Sequence, residues 1–217
     1  MSIGRIDLDA FRIMAADPTS RQLEALRIFQ ESGAFLEGHF VYTSGRHGNR
    51  YLEKFRILER QEYTEPLCMM IAATYADAGV EVVAAPTTGG IILSYVIGGV
   101  LGARGIFCES LPGGGRTFRR GFSIEPGQKV LVVDDIVTTG GSLEDTFDAV
   151  QELGGEIVGV GVMADRSGGA VKVPHPYFAC LEVRFDSWAP EDCPMCAAGD
   201  VPEAHRGSVK KSADPLA

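Results

Sequence analysis

The chain has no positive excess. Its 217 residues carry 20 Lys and Arg against 29 Asp and Glu, a formal net charge of −9. Nucleic-acid binding draws on a basic surface that neutralises phosphates, so this balance argues against a DNA or RNA partner. Long hydrophobic runs are missing too. The most apolar stretch, residues 91–103, falls short of the about 20 residues that a bilayer span requires. Met1 to Asp9 is mixed polar, without the apolar centre of a signal peptide. Cysteines are few, and five at scattered positions do not make a disulfide framework. No internal repeat or low-complexity block interrupts the chain, and no clear linker precedes about residue 200. The expectation is a cytoplasmic protein with no membrane partner, folded as one domain over residues 1–200 and followed by a polar tail at 201–217. At 45% hydrophobic content, a chain of this length can bury a full core.

What is present is concentrated in one segment. Residues 130–142 read Val-Leu-Val-Val-Asp-Asp-Ile-Val-Thr-Thr-Gly-Gly-Ser. Four apolar residues, three of them β-branched, suit a strand buried on both faces. Asp134 and Asp135 close that strand, and Leu143, Phe147 and Val150 then recur at helical spacing. Ser142 reads as the N-cap of the helix, with Asp145 completing a variant of the capping box. A strand, a loop of small residues and a helix N-terminus make an anion site, because backbone N–H groups converge where the helix dipole favours negative charge. The loop offers a phosphate the hydroxyls of Thr138, Thr139 and Ser142 and close backbone approach at Gly140 and Gly141. It contains no lysine, so the Walker A pattern is absent.

The paired carboxylates would repel a bare anion at such a cradle. A ligand with hydroxyls, accompanied by a divalent cation, resolves the conflict, and a sugar phosphate carrying Mg²⁺ meets these demands. A lone Asp-Asp most often just ends a strand and helps to cap a helix. Thirteen consecutive fitting positions outweigh that reading.

Periodicity orders the rest. Residues 21–33 and 64–78 read as helices ended by Gly33 and Gly79, and residues 40–58 as a β-meander around Thr43-Ser44-Gly45-Arg46. Strands are expected at 80–85, 104–109 and 156–164. The helix at 91–101 is apolar all round, as for a helix packed tightly against a sheet. Ser110 to Phe122, with Gly113-Gly114-Gly115, reads as a flexible loop outside the core. Repeated β–loop–α–β units imply a parallel sheet with right-handed crossovers. Ligands then bind beyond the carboxyl ends of the strands, where the loops after residues 86, 109, 135 and 164 share one rim.

The 130–142 segment resembles the phosphoribosyl diphosphate (PRPP) motif of type I phosphoribosyltransferases. That resemblance implies that Asp134 and Asp135 contact the ribose hydroxyls and their Mg²⁺ environment. Ile136, Val137 and the loop Thr138, Thr139, Gly140, Gly141 and Ser142 would complete the PRPP site and hold the 5′-phosphate. Three further segments resemble the orotate branch of the family. For Gly38 to His47, the resemblance implies that the Ser44-Gly45-Arg46 turn helps to form the base site. In Ala164 to Gly169, Arg166 stands where orotate enzymes place an arginine, and Thr138 joins it at the base. A planar guanidinium matches a carboxylate bidentately, and orotate has one where adenine, hypoxanthine and uracil do not. A surface salt bridge with Asp165, or a phosphate contact, is the competing reading of Arg166. Pro86 to Gly90 matches the loop that contacts pyrophosphate, with Thr87, Thr88 and Gly89 as a backbone nest.

The likeness runs from about residue 20 to 197. It implies an α/β fold, a Rossmann-like parallel sheet flanked by helices, with a small hood from about 35–60 and 175–197. It also implies a homodimer and Mg²⁺-dependent transfer of phosphoribose from PRPP to orotate in pyrimidine biosynthesis.

The chain departs from the family pattern in two places. Many members carry a lysine in the pyrophosphate loop where Gly89 stands, and an Arg-Lys-x-x-Lys-x-His series in the catalytic loop. The corresponding stretch here, from Cys108-Glu109-Ser110-Leu111-Pro112 to Phe122, has neither lysine nor histidine. Arg116, Arg119 and Arg120 remain as catalytic candidates, in a segment resembling the arginine-containing loop of a subgroup. Arginine offers charge to a leaving pyrophosphate but no titratable proton near neutral pH. The alternatives are transfer to another base, or a non-catalytic PRPP-sensing regulator that binds nucleic acid, against which the acidic balance counts.

Cys193-Pro194-Met195-Cys196 is half of a zinc site by spacing. His205, nine residues further on, Cys180, Asp192 or a partner subunit would have to supply the remaining ligands. His39 and His47 flank the base-site turn and read as packing or surface histidines, with His47 able to approach a phosphate. Cys68 reads as a small buried hydrophobe.

Overall fold

The computed structural model describes residues 8–199 and 203–205. Two helices, α1 (Leu8–Ala16) and α2 (Pro18–Glu31), precede a hairpin of β1 (Phe35–Val41) and β2 (His47–Leu52). Asp17 caps α2 by accepting the Thr19 and Ser20 N–H groups at 3.2 Å, with Pro18 pre-set for the first turn. Next come α3 (Phe55–Leu58), α4 (Gln61–Tyr75), β3 (Val82–Pro86), α5 (Gly90–Leu101), β4 (Arg104–Ser110) and β5 (Arg116–Phe118). The motif strand is β6 (Lys129–Val137), followed by α6 (Gly141–Glu152), β7 (Glu156–Asp165) and β8 (Tyr177–Glu182). The described part closes with β9 (Ser187–Trp188), a 3-10 turn (Pro190–Asp192), α7 (Pro194–Ala198) and β10 (Glu203–His205). Among the described residues, no helix is long and apolar enough to cross a membrane.

The main sheet has the order β5-β4-β3-β6-β7-β8 and is parallel except for β5. Its central strands are buried on both faces, as the unbroken apolar run of β6 requires. Side chains alternate along β6. Val130 and Val132 face the cluster that contains Leu143, Phe147 and Val150 of α6, and Leu131 and Val133 face Leu67 and Ile71 of α4 and Leu93 and Ile97 of α5. On β7, glycine lets α4 lie close: a Cβ at Gly159 would stand 2.2 Å from Tyr75 Cε1. Tyr75 uses that proximity to donate its hydroxyl to Val160 O at 2.8 Å and Pro176 O at 2.9 Å.

The expected α/β architecture is present, with five corrections. The 110–122 stretch is a hairpin rather than a loose loop: β5 pairs antiparallel with β4, and Gly113, Gly114 and Gly115 turn the chain with φ of +102°, +106° and +77°. Glycine reads as flexibility in a sequence, but here it serves a tight turn at a sheet edge. Helix α5 is not enclosed, since Leu93, Ser94, Ile97 and Gly98 are buried while Tyr95 is 80% exposed.

The hood is a four-stranded sheet, β10-β1-β2-β9, and the 175–197 segment is divided between layers. Its β8 portion is the parallel edge of the main sheet, because its buried Phe178, Ala179, Cys180 and Leu181 belong to the core clusters. Residues 203–205, expected within the polar tail, pair with β1 as a parallel strand. Finally, Ser142 is not the cap of α6. Gly140, at φ +87°, holds that place, and Ser142 lies inside the first turn.

Candidate active site

Parallel strands bring the ends of β3, β6 and β7 to one rim, and the motif residues gather there. Thr138 to Ser142 curl from β6 into α6 and line a cavity with Asp134, Ile136, Val137 and Leu143. Gly140 has to be glycine on two counts, a left-handed φ and a would-be Cβ only 2.9 Å from Val171 Cγ1. The α6 N-terminus opens into this cradle, so its unpaired N–H groups and dipole favour an anion.

Asp134 and Asp135 are both buried at the end of β6. Asp134 Oδ1 accepts the Asp135 N–H at 2.8 Å, and Asp135 Oδ1 accepts the Ile136 N–H at 2.7 Å. Burial, with the neighbouring Asp135 charge second, pushes the Asp134 carboxyl well above the ordinary carboxylate range. Asp135 has a direct cation, since Lys54 Nζ lies 2.6 Å from its Oδ2. Lys54 stands between β2 and α3, and no linear spacing relates it to residue 135. A side chain in place of Gly89 would force Asp135 to shift, because a Cβ there would lie 2.1 Å from Asp135 Oδ2. Positive charge reaches this carboxylate from the hood side.

A second cavity is lined by Tyr51, Leu52, Lys54, Asp135, Ile136, Thr138 and Arg166. Ile136 and Thr138 border both cavities, so the phosphate cradle and the Arg166 pocket share a wall. Arg166 is placed by its backbone, which donates to Val137 O at 2.8 Å. Its guanidinium lies 5.0 Å from the Tyr42 ring centroid and 5.5 Å from that of Phe185. Stacking engages the faces of the guanidinium, whereas hydrogen bonding uses its plane. Asp165 is committed elsewhere, accepting the Ser167 N–H at 2.7 Å and the Tyr177 hydroxyl at 2.9 Å.

The other candidates separate. Arg116 on β5 reaches across the rim, its guanidinium donating to Thr87 Oγ1 at 3.4 Å and Ser142 Oγ at 3.3 Å. Its Nε is buried without a hydrogen-bond partner, an expensive state for a charged group. It therefore ties the Thr87-Thr88-Gly89 loop to the phosphate loop. Arg120 turns away to Glu109 at 2.6 Å and to the Phe107 ring, and Arg119 is exposed. Ser44, Gly45 and Arg46 form the exposed tip of the β1–β2 hairpin and line neither cavity; Arg46 Nε donates to Ser187 Oγ at 2.9 Å. Sequence patterning passed over Lys54, Tyr51 and Phe185, which belong to no motif, and Tyr42, which lies in the Gly38 to His47 segment but was given no role. The one available signal was the run of Tyr42 and Tyr51 with Lys54 through the presumed base-site meander.

The carboxylate pair offers only hard oxygen donors, with one lysine against two acids, which is a donor set that suits Mg²⁺.

Comparison with known proteins agrees with this geometry. Residues 49–195 match the phosphoribosyl transferase domain family. The orotate phosphoribosyltransferase of Pelotomaculum thermopropionicum is 49% identical over 187 residues, covering 86% of this chain and 97% of the relative. That of Thermotoga maritima is 41% identical over 181 residues, covering 83% and 96%. In three dimensions the chain is similar to the orotate phosphoribosyltransferase of Mycobacterium tuberculosis in complex with inorganic phosphate. The TM-score is 0.58 at 25% identity, covering 75% of this chain and 95% of that one. A matched domain over two thirds of the chain and relatives at 41–49% identity lead to one conclusion: this chain belongs to the orotate phosphoribosyltransferase family.

Proposed function

We propose that the protein transfers the 5-phosphoribosyl group from PRPP to orotate, giving orotidine 5′-phosphate and pyrophosphate, in pyrimidine biosynthesis. The observation that carries the reading is the wall of Ile136 and Thr138 common to the phosphate cradle and the Arg166 pocket. A ribose 5-phosphate seated in the first would present its anomeric carbon toward a base seated in the second. Arg166 would hold the orotate carboxylate with its in-plane donors, and Thr138 would border both substrates.

An orotate ring nitrogen attacks the anomeric carbon as that carbon's bond to the diphosphate oxygen breaks, and the proton the nitrogen carried leaves with the diphosphate or to solvent. Positive charge develops on the sugar, so catalysis is positioning and electrostatics. Asp135, paired with Lys54, places negative charge beneath the ribose, and Asp134 beside it offers oxygens to the ribose hydroxyls. Arg116, already bridging the two anion loops, offers its guanidinium to the departing diphosphate. Lys54 holds Asp135 in place until the ribose arrives. Asp134 and Asp135 would hold a Mg²⁺ ion bound with PRPP, which would supply the remaining charge compensation.

The active form is a homodimer, a reading supported by α5, which leaves Tyr95, Ile92 and Gly99 uncovered on an otherwise apolar helix. The cytoplasm suits it, since the five cysteines are thiols. The test is absorbance of orotate on incubation with PRPP and Mg²⁺. Conversion to orotidylate is expected. No orotate turnover alongside turnover of adenine, hypoxanthine or uracil would overturn the base assignment.

A further inference from the structure

The strongest feature outside the active site is a cluster in the hood. His39 on β1 and His47 on β2 are buried, and their Nε2 and Nδ1 atoms stand 2.8 Å apart. Cys193 Sγ, also buried, lies 3.5 Å from His39 Nε2. Cys196 Sγ lies 3.5 Å from His39 Nε2 and 3.2 Å from His47 Nδ1. All four atoms fall within 4.8 Å of one another.

We propose that His39, His47, Cys193 and Cys196 form a tetrahedral zinc site that ties the C-terminal segment to the hood hairpin. With Zn–S of about 2.3 Å and Zn–N of about 2.0–2.1 Å, a tetrahedron has ligand–ligand edges of roughly 3.3 Å between nitrogens and 3.6 Å between nitrogen and sulfur. The observed sulfur–nitrogen edges of 3.2–3.5 Å sit close to that figure, and the nitrogen pair at 2.8 Å opens by about half an ångström around the ion. Two thiolates with two imidazoles select zinc over the hard cations, which take oxygen. Binding displaces the thiol protons to solvent.

The site is structural, because four protein ligands leave no coordination position for substrate. None of the four lines either active-site cavity. Its effect on the reaction is indirect. His39 and His47 bracket the hairpin tip that carries Tyr42, and Tyr42 packs on Arg166.

The ligands missing from the sequence reading are thus the two histidines first read as packing residues. Cys180 is excluded, being buried in the core with its thiol donating to Leu67 O at 3.4 Å. The exposed Asp192 is not part of the cluster, and the side chain of His205 lies outside the described residues.

The full chain, purified without a histidine tag or chelator, is expected to carry one zinc per chain by elemental mass spectrometry, with two sulfur and two nitrogen scatterers in its X-ray absorption spectrum. Cobalt exchange should give the intense visible bands of a tetrahedral thiolate site. Cys196→Ser, at the exposed corner, should fold with an unchanged circular dichroism spectrum, lose stoichiometric zinc and lower the Tm, as should His47→Gln. A zinc content near zero after reconstitution of the reduced protein would overturn the proposal. So would full zinc retention in the Cys196→Ser and His47→Gln variants, or an oxygen-only coordination shell. These readouts are independent of orotate turnover.

Discussion

Asp134 and Asp135 share a strand end yet meet different surroundings, and they should therefore respond differently to the same substitution. Asp135 has Lys54 at 2.6 Å, whereas Asp134 is driven toward its neutral form by burial. A carboxyl whose folded pKa exceeds its unfolded one costs stability as pH rises from about 4 toward the folded value, because the unfolded chain gives up its proton first. Asp134→Asn, able to keep the acceptor for the Asp135 N–H, should raise the Tm of the ligand-free protein at neutral pH by about 3–6 °C. The gain should fade below about pH 4, a dependence that thermal melts across pH would check. Asp135→Asn should instead lower kcat at least about 100-fold in the orotate assay, since it removes charge set against the developing sugar cation. Arg166→Lys retains the charge but loses the fork and the stacking on Tyr42 and Phe185. The expected result is a fall of about 10–100-fold in kcat/KM for orotate with the KM for PRPP unchanged. An unchanged value for orotate would remove Arg166 from the base site.

At the level of elements, the turn from β6 into α6 depends on Gly140. Gly140→Ala should cost about 1–2 kcal/mol from its left-handed φ alone, with a further steric cost against Val171. Adding Val171→Ala should recover the steric part only, and melts of the single and double variants would separate the two. The same element shows what a linear reading can and cannot see. Strand β6, its loop and α6 were legible because their signals are local: a both-faces-buried apolar run, small residues, then helical spacing. The carboxylates followed from their position at a strand end, and Arg166 from the resemblance of the Ala164 to Gly169 segment to orotate enzymes. Lys54 was not legible, since it meets Asp135 only through the packing of the hood on the core. The cap of α6 was misread because a side-chain rule favoured Ser142, while the backbone turns through a left-handed glycine. The 110–122 hairpin was hidden by three glycines whose use as a turn depends on the β4 edge beside them.

Across the whole molecule, the uncovered face of α5 predicts its own test. Tyr95→Glu should shift the protein from dimer to monomer in sedimentation velocity while leaving the monomer folded, since Tyr95 is 80% exposed. A dimer unaffected by that change would place the interface elsewhere.

The sheet order has a further consequence, for how the site comes into being. Register pairs Val82 with Val130, so the strand bearing the carboxylates must close a loop across α5 and the β4–β5 hairpin before the two anion loops can face each other. A ribosome delivers β3 well before β6, and delivers β7, with Arg166 at its end, later still. The donor half of the site can thus assemble on a nascent chain whose acceptor half still lacks Arg166. The two cysteines that approach the hood histidines emerge last, so the hood hairpin, made early, waits for the end of the chain to fasten it.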